Sequence, residues 1–238
     1  MGNGKSGARR KVEKPFSFDG LSQSQQLSKI SELQQAMGQT GNEAGNPNTN
    51  PDNKLYVNTS KAMNINAYLL SDGKTIESSD STWNGLINKS WVEKAIKKID
   101  SGMKPLSESI QTYRFISGSA LGKMLGLNVD NKNIEHFIFS LENNATVAKS
   151  FTGLLKHADY THKAYTSTTY LPEHGTYDTK DIKLNMIMKK GTPAIVSNNH
   201  AEHEIVGGKN LKYDMSQGKW HIETTKKGKK QLVIDVVI

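Results

Sequence analysis

The sequence contains no cysteine, which excludes disulfide staples, thiolate nucleophiles and cysteine-ligated zinc. Apolar residues are sparse at 35% of the chain and aromatic residues at 7%, so part of the chain is expected to lie outside any packed core. No stretch approaches the roughly 18 apolar residues of a membrane helix, and no apolar run of signal-peptide length follows the basic cluster of Lys5, Arg9, Arg10 and Lys11. Neither a membrane anchor nor a signal peptide is therefore expected. Acidic residues are outnumbered, 23 against 31 lysines and arginines, giving a net charge of +8. That balance favours anionic partners: nucleic acid, an acidic membrane face, an acidic protein or a phosphate-bearing cofactor.

What is present divides the 238 residues unevenly. Residues 21–37 (LSQSQQLSKISELQQAM) set Leu21, Leu27, Ile30, Leu33 and Met37 at roughly helical spacing. They are followed by GQTGNEAGNPNTNPDN, a run of Gly, Asn, Pro and Thr that reads as a flexible linker. The reading is a mostly loose N-terminal segment, residues 1–53, with one short helix, and a folded catalytic domain over residues 54–238. Within that domain, 60–71 and 90–101 repeat apolar residues at steps of three and four behind serines suited to N-capping, which predicts two helices. Downstream, strands are expected at 112–116, 135–141, 164–170, 182–188, 193–197, 203–206, 211–215, 219–224 and 231–238, with a helix near 119–127. Helices first and short strands afterwards imply an α+β fold. The lysine-rich stretch 225–230 (TKKGKK) joins the last two strands and reads as a solvated hairpin turn, since no aromatic stacking partners for a nucleic acid are interleaved with it.

Three separated segments carry chemistry: Tyr113-Arg114, then Tyr165-Thr166-Ser167-Thr168-Thr169, then Glu202-His203-Glu204. In this order they resemble the class of mono-ADP-ribosyltransferases defined by a strand-borne Arg, an aromatic-x-Ser-Thr-Ser strand and a Glu-x-Glu turn, a class that includes actin-modifying bacterial toxins. Ile65-Asn66-Ala67-Tyr68-Leu69-Leu70 is similar to that family's Ile-Asn-x-x-Leu helix, and the resemblance spans about residues 54–238. Two positions depart from the pattern: Thr169 stands where the second Ser is usual, and Phe115 follows Arg114 where Gly is frequent.

The resemblance implies an ADP-ribosyltransferase-like fold, with a small N-terminal helical lobe on a two-sheet β core around an NAD⁺ cleft. It implies NAD⁺ as co-substrate and no metal. Arg114 would clamp the pyrophosphate, since a planar guanidinium offers several fixed donors to phosphate oxygens. Glu204 would stabilise the oxocarbenium-like ribose cation left when nicotinamide departs, and Ser167 would orient Glu204. Thr168 and Thr169 would brace the strand or the nicotinamide pocket. Glu202, two residues before Glu204 on an extended segment, would face the same cleft and activate the acceptor. A guanidinium attacks a sugar cation only if a carboxylate anchors it and takes a proton, so Glu202 points to an arginine acceptor. The loop 171–181 would close over the ligand, with Tyr177 stacking on it. The segment 196–201 (VSNNHA) would form the turn that recognises the protein substrate.

The expected role is thus a bacterial toxin or effector that is secreted or injected, acts in the host cytosol as a monomer, and modifies a host protein, with actin the leading target. An NAD⁺ glycohydrolase using the same residues, and a transferase with a non-arginine acceptor, fit the same motifs. A basic nucleic-acid-binding module is the reading of another class. The cluster His200-Ala201-Glu202-His203-Glu204 has metal-ligand chemistry, but it lacks the helical spacing of a zinc motif and a fixed third partner; His157 and His162 are the candidates for one.

Overall fold

A computed structural model describes residues 14–50, 53–57, 59–76, 87–174 and 179–238. The first helix, α1 (Gln23–Met37), starts with a capping box: Gln25 N–H donates to Ser22 Oγ while Ser22 N–H donates to Gln25 Oε1. It ends at Gly38 in the left-handed conformation. Its apolar face is not a free surface. Ile30, Leu33 and Met37 are buried together with Phe18 against Leu106, Ile110, Tyr170, Met188, Val196 and Ile205. Phe16 adds a parallel bridge to Ile110, donating its N–H to Ser109 O at 2.8 Å.

The expected boundary at residue 54 is therefore corrected. Within residues 1–53 the described part, from residue 14 on, packs on the catalytic core, and the five apolar side chains it buries, Phe18, Ile30, Leu33, Met37 and Ala44, explain why. The low apolar content of 38–53 concealed this, because that stretch is held by hydrogen bonds: Tyr56 N–H donates to Ala44 O at 2.7 Å and Asn198 N–H to Gly41 O at 2.9 Å. Residues 1–13 lie outside the described residues.

Helices α2 (Thr59–Leu70) and α3 (Lys89–Gly102) fall where the periodicity placed them, with Asn88 capping α3. They bury Ile65, Val92, Ala95, Ile96 and Ile99 against Ile195 and Val206 of the sheet and against Tyr165 just before β4. Short β1 (Lys104–Pro105) and then β2 (Ile110–Ile116) follow, then α4 (Gly118–Leu125). Residues 135–141, expected as a strand, form α5 (Ile134–Asn143) instead. Ile134, Ile138 and Leu141 recur at steps of four and three and are buried, whereas Phe139 of the apparent alternation points to solvent at 62% exposure. Helix α6 (Ala145–His157), which the sequence reading missed, packs Phe151 and Leu155 into the same core.

The remaining strands are β3 (Tyr160–His162), β4 (Thr166–Thr169), β5 (Ile182–Met188), β6 (Pro193–Val196), β7 (Glu204–Gly207), β8 (Leu211–Tyr213), β9 (Trp220–Thr224) and β10 (Lys230–Val237). Eight of the ten form one sheet of order β1-β6-β7-β4-β2-β5-β10-β9, and β3 pairs with β8. The large sheet has a narrow waist. β2 and β4 share the single register pair Tyr113↔Thr169, whereas β2 and β5 are paired along seven residues. The two-sheet core expected from the family thus takes the form of two four-stranded leaves joined at one point, and the functional segments lie at that junction. At the far edge the 225–230 stretch is the expected hairpin turn, closed by Gly228 N–H on Thr225 O. Lys226, Lys229 and Lys230 pair with Glu173, Asp181 and Glu142.

Candidate active site

The three segments quoted from the sequence converge where the leaves part. β4 is a central strand whose alternation divides its hydroxyls. Thr166 meets the Tyr213 hydroxyl at 3.2 Å and Thr168 Oγ1 donates to Ile205 O at 2.8 Å. Ser167 faces the cleft, and its Oγ donates to Glu204 Oε1 at 2.6 Å. Antiparallel pairing of β4 with β7 sets Thr169 opposite Glu204 and Ser167 opposite Val206, so the Ser167–Glu204 bond runs along a cross-strand diagonal. Thr169 accepts from Leu171 N–H at 3.3 Å, which fixes the exit of the strand.

Glu204 is 7% exposed, and its Oε2 is buried with no hydrogen-bond partner among the described residues. Burial pushes the carboxyl up to about 7, opposed by the Ser167 hydrogen bond and by the nearby Asn199 side chain, and reinforced by the neighbouring charge of Glu202. A carboxylate so placed gains energy from any positive charge or hydroxyl donor that enters the cleft. A buried oxygen without a partner is a functional signal rather than a fold requirement.

Glu202 reaches the same cleft by a different route from that expected. It lies in a turn, β7 begins only at Glu204, and His203 between them has a left-handed φ of 48°. The two carboxylates share a cavity because of that turn and not because of strand alternation.

Arg114, on β2, is held from two sides. Its Nη1 donates to Ser167 O at 3.0 Å, and its Nη2 lies 3.5 Å from His162 Nε2. The other ring nitrogen, Nδ1, lies 3.0 Å from the Tyr160 hydroxyl, and because a guanidinium cannot accept, Nε2 is the acceptor wherever it bonds Arg114. Burial and the Arg114 charge hold His162 down to about 3, so the ring is neutral. Sequence reasoning had considered His162 only as a metal ligand; its support of Arg114 depends on β3 and β2 meeting in space, which no local pattern records.

Two cavities flank Ser167 and Glu202. The larger, about 350 Å³, is walled by Tyr56, Met63, Asn66, Leu70, Asn199 and Glu204. The smaller, about 170 Å³, is walled by Tyr113, Arg114, Phe115, Thr168 and Thr169. Tyr56 was not anticipated. It is buried, its hydroxyl accepts from Asn66 Nδ2 at 2.9 Å, and burial raises the phenol well above its ordinary value. Tyr177 lies outside the described residues. The metal reading of 200–204 finds no ligand set: among the described residues no group of three His, Asp or Glu could hold an ion.

A scan against protein-family models matches residues 24–238 to the ADP-ribosyltransferase exoenzyme family. The chain belongs to that family. It is a mono-ADP-ribosyltransferase of the bacterial toxin type, and the family match begins inside α1, in agreement with the packing of that helix on the core.

Solved structures show the same fold. Plx2a, an ADP-ribosyltransferase toxin from Paenibacillus larvae, is 19% identical with a TM-score of 0.58, and the match covers 90% of this chain and 92% of that one. C3stau2 from S. aureus, solved with NAD, is 15% identical with a TM-score of 0.61 over 94% and 97% of the two chains. BECa, of a binary enterotoxin of C. perfringens, was solved with NADH. It is 18% identical with a TM-score of 0.64, and this chain spans 94% of its own length but half of BECa. A search of curated protein sequences finds no match. Among the described residues of this transferase, no helix is long and apolar enough to cross a membrane.

Proposed function

We propose that the enzyme transfers ADP-ribose from NAD⁺ to an arginine of a host protein, with actin as the target. The observation that carries the reading is the buried Ser167–Glu204 pair with a free carboxylate oxygen, flanked in one cleft by Arg114 and Glu202. NAD⁺ fits these residues by its chemistry: a diphosphate needs a cationic fork, and a ribose needs an acceptor for its hydroxyl. Arg114 spends one N–H on Ser167 O and one toward His162, which leaves the rest of the fork for phosphate.

In the reaction the bond between ribose C1′ and the nicotinamide nitrogen breaks, and its electron pair leaves with neutral nicotinamide. Glu204 Oε2 accepts from a ribose hydroxyl and stabilises the cation at C1′; Ser167 keeps that carboxylate aimed. An arginine nitrogen then bonds to C1′, and Glu202 takes the proton that the guanidinium loses. With a net charge of +8 the enzyme is steered toward acidic partners, and the Glu-x-Glu resemblance to actin-modifying toxins selects actin among them. The Glu173, Asp181 and Glu142 pairings of the hairpin lysines weigh against a nucleic-acid module.

The test is incubation with labelled NAD⁺ and a eukaryotic lysate, followed by identification of the labelled protein and residue. Label on an actin arginine is expected, lost with Glu204→Gln. Label confined to nucleic acid or to a non-arginine side chain sinks the acceptor assignment, and NAD⁺ cleavage without any label makes the enzyme a glycohydrolase.

A further inference from the structure

The turn that carries Glu202, and the strand β6 that leads into it, are tied to the N-terminal segment by three side-chain amides. Gln34, on α1, donates its Nε2 to Val196 O at 3.0 Å and to Asn198 Oδ1 at 2.8 Å. Asn198 Nδ2 donates to Thr40 O at 2.9 Å and to Asn42 Oδ1 at 3.3 Å, and its backbone N–H donates to Gly41 O at 2.9 Å. Gln39 is buried; its Nε2 donates to Ala194 O at 2.8 Å and Gly102 O at 2.9 Å, while its Oε1 accepts from Val196 N–H at 3.1 Å. Close approach depends on Gly41. At φ +83° a Cβ there would sit 2.3 Å from both Asn198 Oδ1 and Gln34 Nε2.

The two carboxylates consequently differ in their main supports, although the Asn199 side chain in the turn also contacts Glu204. Glu204 is held by the sheet, through its pairing with Thr169, the Ser197 N–H on its carbonyl at 3.1 Å and the Ser167 hydroxyl. Glu202 belongs to the 198–203 turn. Its N–H donates to Asn199 O at 3.2 Å, Asn199 follows the clamped Asn198, and Asn199 lines the larger cavity. A turn between two strands has many conformations of similar energy, and the Gln34 and Asn198 amides, which fix its first residue, remove many of them.

We infer that Gln34 and Asn198 are positioning residues for Glu202, with Gln39 fixing the strand before them, so that α1 and the turn after it are part of the transfer machinery rather than an appendage. The inference rests on the proposed division of work between Glu204 and Glu202. A misplacement of about 1 Å in a catalytic group costs on the order of a hundredfold in rate, so loosening this clamp is read out in transfer and not in NAD⁺ cleavage.

The experiment uses the full chain with Gln34→Ala, Asn198→Ala and the double variant. NAD⁺ hydrolysis, transfer to agmatine and to lysate protein, KM for NAD⁺ and Tm are measured for each. Each single variant is expected to lose about tenfold or more in transfer, with hydrolysis and KM for NAD⁺ within about threefold of wild type. The double variant is expected to be little worse than the poorer single one, because the two residues share a hydrogen bond. Unchanged transfer in both single variants overturns the positioning role, and so does a parallel fall of transfer, hydrolysis and Tm, which marks general destabilisation. A wild-type enzyme that hydrolyses NAD⁺ but modifies neither acceptor overturns the functional reading and the inference with it.

Discussion

Ser167 Oγ lies 2.6 Å from Glu204 Oε1, a bond made along a diagonal of the β4–β7 ladder, beside the Tyr113–Thr169 pair that joins the two leaves of the sheet. Next to burial itself, it is the main contact that sets the ionisation of Glu204, the most buried carboxylate among the described residues. The hydroxyl donates to the charged form and lowers the pKa that burial has raised.

NAD⁺ cleavage should therefore follow the ionisation of Glu204. The carboxylate is the form that stabilises a cation, so kcat/KM for NAD⁺ is expected to rise with pH and level off above about 7. Ser167→Ala removes a stabiliser of the charged form and should move that inflection upward. Glu204→Gln should lose about 10²-fold to 10³-fold at every pH. A profile flat from about pH 5 to 8 would remove Glu204 from the chemical step.

The same shift is a statement about stability. The native Glu204 holds its proton up to about 7, against 4.5 for the ordinary carboxyl, so between these values the folded state binds more protons than the unfolded one. Stability then falls as pH rises through that window, by up to about 3 kcal/mol from this group alone. Glu204→Gln, which is neutral at all pH, should unfold at a higher temperature than wild type at pH 8 and at nearly the same temperature at pH 5. Equal midpoints at pH 8 would show that the burial of Glu204 carries no such cost.

Glu202→Ala separates the two half-reactions. Glu204, Ser167 and Arg114 remain in place, and the neighbouring charge that raises Glu204 is gone. Hydrolysis of NAD⁺ should persist within about tenfold while transfer to arginine falls by about 10²-fold or more, in the range of a lost general base. Comparable losses in both reactions would return Glu202 to a structural role.

Much of this site could be read from the sequence because its chemistry is local. Arg114, Ser167, Glu202 and Glu204 sit in short motifs whose order survives whatever the rest of the chain does, and helices α2 and α3 follow from apolar steps of three and four. What could not be read depends on contacts between distant segments. The α5 segment offers both an alternation and a helical step, and only the burial of Ile134, Ile138 and Leu141 decides between them. His162 and Tyr56 reach the site through β3 and the approach to α2. The Gly- and Asn-rich stretch after α1 has the composition of a linker, yet its backbone carbonyls receive the amide of Asn198. Composition reports how much apolar surface a segment can bury, and says nothing about hydrogen bonds it makes to a distant turn.

Arg114→Lys keeps the charge and loses the fork. Lysine has no second arm to hold Ser167 O while presenting parallel donors to a diphosphate. With charge-assisted hydrogen bonds worth about 1.5–3 kcal/mol each, KM for NAD⁺ is expected to rise about 10-fold to 100-fold. Glu204 keeps its Ser167 partner, so kcat should change less than KM. A KM within about twofold of wild type would place the pyrophosphate elsewhere.

The N-terminal segment gives the last test, and the outcome expected from the structure is opposite to that of a loose leader. Deleting residues 1–53 would strip Phe18, Ile30, Leu33 and Met37 from a cluster that contains Ile110 of β2, Tyr170 beside β4 and Val196 of β6. At about 1.5–3 kcal/mol per buried side chain the loss is on the order of 6–12 kcal/mol, comparable to the entire stability of an ordinary domain. The truncated chain is expected to be unfolded or to melt far below the full chain, with no NAD⁺ cleavage. Deleting only residues 1–13 leaves the Phe16 bridge, the Ser22 cap and α1 in place, and should preserve both Tm and turnover. Circular dichroism melts with NAD⁺ turnover on the two truncations decide the matter. A fully active chain beginning at residue 54 would mean that α1 contributes nothing to the catalytic fold.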